Sequence, residues 1–95
     1  MPRISQQERF ERVVSGQVTA EVLTSNQGVR FSVAAGAGVS CLPHSDSPPY
    51  WAVEVLVLDR ALIEVLESEL PSVHFDDYGV AGYVLVESIR AVLEE

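Results

Sequence analysis

Alternating apolar and polar residues predict a β-hairpin in the first half of the chain. The first strand runs from Gln17 to Thr24, and its apolar residues on one face are Val18, Ala20 and Val22. The second runs from Val29 to Ala35, and its inward residues are Val29, Phe31 and Val33. Four residues with turn chemistry, Ser-Asn-Gln-Gly, separate the two runs. A period of two on either side of a short turn is typical of two antiparallel strands.

A short helix from Ser5 to Ser15 precedes the hairpin. Ser5 and Glu8 have the spacing of a capping box, in which the serine side chain accepts from the backbone of the third helical residue. The apolar stripe of this helix consists of Ile4, Phe10, Val13 and Val14. Gly16 follows at the position where glycine commonly ends a helix.

The segment from Ser47 to Leu70 has the longest nearly unbroken apolar run and the only tryptophan. Steps of three and four place one set of residues on a single helical face: Trp51, Val55, Leu58, Leu62, Val65 and Leu66. With Ser47 as N-cap, this pattern favours one long helix with Trp51 in the core. The alternative is a third strand from Trp51 to Leu58, followed by a helix from Arg60 to Leu70. Both interpretations end the helix at the following proline.

The last part of the chain predicts a connector and a C-terminal helix. The connector, Ser72 to Asp77, allows a short edge strand over Val73 to Phe75. Asp76 or Asp77 is expected to cap a helix over about Val80 to Leu93. The buried residues of this helix would be Ala81, Leu85, Ile89 and Val92. Gly82 inside that helix predicts close approach of another helix.

These elements predict an α+β fold in one domain, residues 1–95, because 95 residues suit a single hydrophobic core. The expected order is a short N-terminal helix, an antiparallel β-hairpin with a third strand in the alternative, and two C-terminal helices packed on it. The charged N-terminal stretch does not resemble a signal peptide, and the central apolar run is too short to span a bilayer. One cysteine suits a reducing compartment, so we expect a cytoplasmic protein.

Charge is distributed very unevenly along the chain, whose formal net charge is −8. Residues 1–45 carry four Arg and three Glu, whereas residues 46–95 carry two Arg and eleven acids. An acidic surface repels nucleic acid and attracts basic protein surfaces. We therefore expect no direct contact with nucleic acid or membrane. The absence of lysine also excludes Schiff-base chemistry and a phosphate-loop lysine.

Three short constellations offer candidate chemistry. Cys41 and His44 form a C-x-x-H to which His74 and the Asp76-Asp77 pair would add zinc ligands. Cys41 with either histidine would make a nucleophile and base pair, and the two aspartates a paired carboxylate. None of the three has the surrounding motif that these sites usually show. We therefore expect no enzyme activity, no catalytic residue, no cofactor and no metal.

In size, acidity and lack of catalytic motifs, the chain resembles the small acidic inhibitors that phages deploy, including anti-CRISPR proteins and DNA mimics. The resemblance implies a protein-binding inhibitor module that occludes a basic, nucleic-acid-binding surface of a target complex. Carboxylates would take the place of phosphates and bind target arginines. From the charge distribution we expect six acids to share the binding face: Glu64, Glu67, Asp76, Asp77, Glu87 and Glu94. The alternatives are an intracellular accessory or immunity-type interaction domain, and a small Cys/His metal protein or enzyme.

Overall fold

The computed structural model describes residues 4–43 and 48–93, and it confirms the α+β class. The elements in chain order are α1 (Gln6–Val14), β1 (Ala20–Thr24), β2 (Arg30–Ala34), β3 (Ala52–Val57), a single 3₁₀ turn (Arg60–Leu62), α2 (Ile63–Glu69), β4 (Val80–Leu85) and α3 (Val86–Leu93). Each strand pairs antiparallel with the next, so the sheet order is β1-β2-β3-β4. The predicted N-cap Ser47, His44 and Glu94 lie outside the described residues.

Helix α1 forms where the capping residues predict it. The Glu8 backbone N–H donates to Ser5 Oγ at 3.1 Å, which satisfies one of the unpaired donors of the first turn. The chain leaves the helix at Gly16, whose φ of +82° is accessible to glycine without strain. A Cβ there would lie 2.6 Å from Pro48 Cγ, so a side chain at this position would also collide with the loop before β3.

The predicted hairpin is confirmed as β1 and β2, paired from Ala20 with Ala34 to Thr24 with Arg30. Strand β2 buries Phe31 as expected. Strand β1 does not bury its apolar set, because Leu23 pairs with Phe31 and faces the core with it. Val22 pairs with Ser32 and points the other way, 47% exposed.

The prediction of one long helix across the central segment is wrong, and the alternative with a third strand is right. Residues Val53, Val55 and Val57 alternate inward along β3, where each is buried between β2 and β4. Pairing with two neighbouring strands outweighs the three-four spacing, because β-branched residues pack well in a central strand. Trp51 precedes the strand and is 57% exposed, so it is not a core residue.

The first half of the predicted C-terminal helix is also a strand. Strand β4 runs directly into α3 without a loop, and its residues Ala81 and Val84 pair with buried residues of β3. Gly82 and Tyr83 lie opposite the single residue Glu54, which is a β-bulge. A Cβ on Gly82 would lie 2.7 Å from Ser40 Cβ, so the close approach is made by a loop and not by a helix. The connector has no strand at 73–75.

The helices and the sheet form two layers. The buried side chains of α1, α2 and α3 belong to one cluster with the inward residues of the strands. The helix residues in it are Phe10, Val13, Val14, Leu66, Val86, Ile89, Val92 and Leu93. We call the opposite side of the sheet the open face, and its cross-strand row is Val22, Ser32, Leu56 and Val80. No described helix packs on this row.

Candidate protein-binding surface

The segment 60–79 concentrates acidic residues on α2 and the connector after it. It contains five acids and one Arg. Helix α2 buries Leu66 and ends at Glu69, with the buried Leu70 as its C-cap, because Pro71 cannot continue it. These apolar contacts direct Glu64 to solvent and leave Glu67 half-buried.

Glu67 fixes the connector against α2. Its Oε2 accepts a hydrogen bond from the Phe75 backbone N–H at 3.1 Å. The Val73 N–H donates to the Leu70 carbonyl at 2.9 Å, which turns the chain back beside the helix. The structure therefore brings Glu67 next to the connector acids that the sequence analysis grouped with it.

Asp76 builds a turn and does not cap a helix, so that part of the prediction is wrong. Its Oδ1 accepts from the backbone N–H groups of Tyr78 at 2.8 Å and Val80 at 3.0 Å. The Asp76 N–H donates in turn to the Val80 carbonyl at 2.9 Å. Asp77 is exposed, and its carbonyl accepts a hydrogen bond from the Arg60 guanidinium. We call Glu64, Glu67, Asp76 and Asp77 the acidic surface.

The structure does not bring Glu87 to the acidic surface. Asp76 and Asp77 precede the first residue of β4, whereas Glu87 follows the last one in the first turn of α3. Its Oε2 lies 2.6 Å from Arg90 Nη1. Arg90 also binds Glu11 through two bonds of 2.7 and 2.8 Å, and these hydrogen bonds hold the pKa of Arg90 above its ordinary value.

Most other charges in the described part are neutralised locally. Arg9 lies 3.5 Å from Glu21, and Arg30 binds Asp59 at 2.8 Å. The Arg30 hydrogen bonds lower the pKa of Asp59 below its ordinary value, and Asp59 raises the pKa of Arg30. Among residues 4–43 and 48–93, the one arginine bonded to the acidic surface is Arg60, at the Asp77 carbonyl, so most of the negative charge there is left uncompensated.

One further acid of the same segment has a role that was not predicted from the sequence. Glu69, on the last turn of α2, accepts from the Ser25 hydroxyl at 2.6 Å. Ser25 is the buried polar residue of the hairpin turn, and its Oγ also accepts from the Val29 N–H at 3.2 Å. Glu69 thus joins α2 to the hairpin. The spacing of Glu69 along α2 did not indicate this contact, because its partner Ser25 lies 44 positions away in the sequence.

Cys41 is in the core. Its Sγ lies 3.3 Å from the Gly36 N–H, the Gly36 carbonyl and the Pro43 carbonyl, and it is fully buried. His74 is exposed in the connector. Within residues 4–43 and 48–93, no group of three or more His, Cys, Asp or Glu is placed to hold a metal ion.

Two grooves open elsewhere on the molecule. One of about 590 Å³ lies beside α1, with Glu8, Arg12 and Arg90 among its walls. The other, of about 230 Å³, lies between β4 and the connector, beside His74 and Ser88. None of the four residues of the acidic surface lines either of these two grooves.

No helix in the described part of the chain is long and apolar enough to cross a bilayer. Comparisons of the chain with protein-family models, with curated proteins and with solved structures each find no match.

Proposed function

We propose that this protein is a binding module whose acidic surface covers a basic, nucleic-acid-binding surface of a protein partner. It would inhibit that partner by occluding the surface, in the way of inhibitors of the anti-CRISPR or DNA-mimic class. The carboxylates of Glu64, Glu67, Asp76 and Asp77 would occupy the positions of phosphates and accept hydrogen bonds from partner arginines, which can be bidentate at Glu64 and Asp77. No step of this function requires a cofactor, a metal or a catalytic residue of the chain.

The observation that carries the proposal is the uncompensated charge of the segment 60–79. The segment contains five acids and one Arg. Arg9, Arg30 and Arg90 are each bound to acids outside this segment. A concentration of one sign raises the rate at which a partner of opposite sign associates.

The acidic surface is also held in shape before any partner arrives. The Glu67–Phe75 bond fixes the connector relative to α2, and the two bonds to Asp76 Oδ1 fix the turn before β4. A preorganised set of carboxylates loses less conformational entropy on binding than a flexible acidic tail. Glu67 and Asp76 therefore also support the fold. The side chains of Glu64 and Asp77 make none of these bonds, so they can be substituted to test binding alone.

The test begins with the tagged protein as bait in a lysate of its natural host. Retained proteins are identified by mass spectrometry, and the purified partner is then titrated at low and high salt. We expect a partner with a basic nucleic-acid-binding surface, and we expect DNA or RNA to compete with the bait. Affinity should fall with salt, because screening weakens attraction between exposed charges.

Glu64→Lys and Glu8→Lys form a matched pair of variants. Both acids are exposed in the first turn of a helix, so both changes remove a similar interaction with the helix dipole. Glu64→Lys should weaken binding by about tenfold, mainly through a slower association rate, and Glu8→Lys should change it little. Binding that ignores salt and responds equally to both variants would reject the acidic-surface mechanism.

A further inference from the structure

The open face of the sheet is apolar where it meets solvent. A sheet with one solvated face usually carries polar residues there. Here the row across the four strands contains three apolar side chains, the exposed Val22 and Leu56 and the half-buried Val80, with the half-buried Ser32 between them. Tyr83 and Leu85 on β4 are about half exposed as well.

Two opposite charges lie symmetrically about the centre of this row. Ser32 pairs with Leu56, and because β2 and β3 are antiparallel, Arg30 and Glu54 lie on opposite sides of that pair along the strands. Both are two residues from it, so both point to the open face. The Glu54 side chain makes no hydrogen bond or ion pair with any other described residue. Arg30 binds Asp59 through Nε and Nη2, which leaves Nη1 available.

We propose that the open face binds the open face of a second copy of this chain. A twofold axis along the row would place Val22, Leu56 and Val80 against the same residues of the other copy. The rotation reverses the strand direction, so Arg30 of each copy would approach Glu54 of the other. Apolar residues at the centre with two equivalent ion pairs beside them make a self-complementary interface, as a twofold dimer requires. Two sheets packed in this way form an aligned sandwich.

The distribution of charge favours the open face over other surfaces for contact between two copies of the chain. The protein carries −8 in total, but the charged residues that the described strands place on the open face are Glu54 and Arg30, and Arg30 is paired with Asp59. Contact between two copies through the acidic surface would bring like charges together. The open face is therefore the side on which two copies meet with the least repulsion. This inference does not depend on the proposed function, because the acidic surface is built from α2 and the connector.

Sedimentation and light scattering of the full chain test the proposal across concentrations from about 5 μM to about 500 μM. Four short strands make a small interface, for which micromolar dissociation constants are typical. We expect the mass to rise from that of one chain, 10.4 kDa, towards twice that value. Leu56→Ser should raise the dissociation constant at least about tenfold. Leu62→Ser is the matched control, since both leucines are 38% exposed and Leu62 is outside the sheet.

A mixing experiment identifies the ion pairs. Glu54→Arg alone would place Arg against Arg30, and Arg30→Glu alone would place Glu against Glu54, so each variant should be monomeric. An equal mixture of the two should dimerise again, because each contact then joins opposite charges. Circular dichroism tests whether both variants fold. If either does not, the single variants Glu54→Gln and Arg30→Gln are used instead. These should weaken the dimer without blocking it. A monomer at every concentration, a dimer that ignores Leu56→Ser, or a mixture that stays monomeric would overturn the proposal and leave the face to a foreign partner or to solvent.

Discussion

The side-chain amide of Gln6 closes the outer edge of the sheet at Thr24. Its Oε1 accepts from the Thr24 N–H at 2.5 Å, and its Nε2 donates to the Thr24 carbonyl at 2.8 Å. Arg9 continues the same edge, with Nη1 3.0 Å from the Val22 carbonyl. Helix α1 thereby occupies backbone groups of β1 that would otherwise be open to another strand. Covered edges of this kind protect sheets from pairing with other chains.

Gln6→Ala should destabilise the protein by about 1 kcal/mol, the usual net contribution of such hydrogen bonds. It should also accelerate hydrogen exchange at the Thr24 amide, because water replaces the Gln6 acceptor. Gln17→Ala is the control, since Gln17 is exposed and its side chain makes no hydrogen bond within the described residues. Unchanged exchange at Thr24 in Gln6→Ala would contradict the role of this side chain.

Trp51→Ala should cost only about 1–2 kcal/mol, because more than half of the side chain is already in water. Phe31→Ala should cost about 3–5 kcal/mol, because Phe31 is fully buried between the sheet and the helices. Urea denaturation of both variants, with slopes compared to the wild type, gives the two free energies. A loss for Trp51→Ala equal to that for Phe31→Ala would mean that Trp51 is a core residue after all.

Gly82→Ala should destabilise the protein by about 1–3 kcal/mol, as overpacking commonly does, because the new Cβ would lie 2.7 Å from Ser40 Cβ. Removing the obstacle should remove much of the cost, so Ser40→Gly combined with Gly82→Ala should be more stable than the sum of the single changes predicts. A double-mutant cycle on thermal or chemical unfolding measures this coupling. Additive single effects would show that the two residues do not meet.

The Arg30–Asp59 pair predicts how the free energy of unfolding changes at acidic pH. The pKa of Asp59 is lowered in the folded protein, chiefly by the Arg30 side-chain hydrogen bond. A carboxyl with a lowered folded pKa contributes stability above its unfolded pKa of about 4, and that contribution is lost as the pH falls through the folded value. The difference in unfolding free energy between wild type and Asp59→Asn should therefore be constant near neutrality and shrink below about pH 4. A difference that grows on acidification would contradict the sign.

Local chemistry along the chain was sufficient for the elements that depend on near neighbours. Ser5 and Glu8 define the start of α1, Gly16 its end, and the alternation around the four-residue turn defines β1 and β2. The concentration of acids in the second half was likewise readable from composition alone. The interactions that decide α1 and the hairpin turn lie within a few residues of sequence, and the acid count requires no knowledge of the fold.

Tertiary structure decided everything that depends on distant partners. The residues of β3 fit a helix or a strand by spacing, and β2 and β4 on either side made them a strand. The pairing of Leu23 with Phe31 chose the buried face of β1. Glu67 was placed by Phe75 and Glu87 by Arg90, so two acids of similar sequence character belong to different parts of the surface. Periodicity describes which residues share a side of an element, but only the neighbouring elements determine which side is buried.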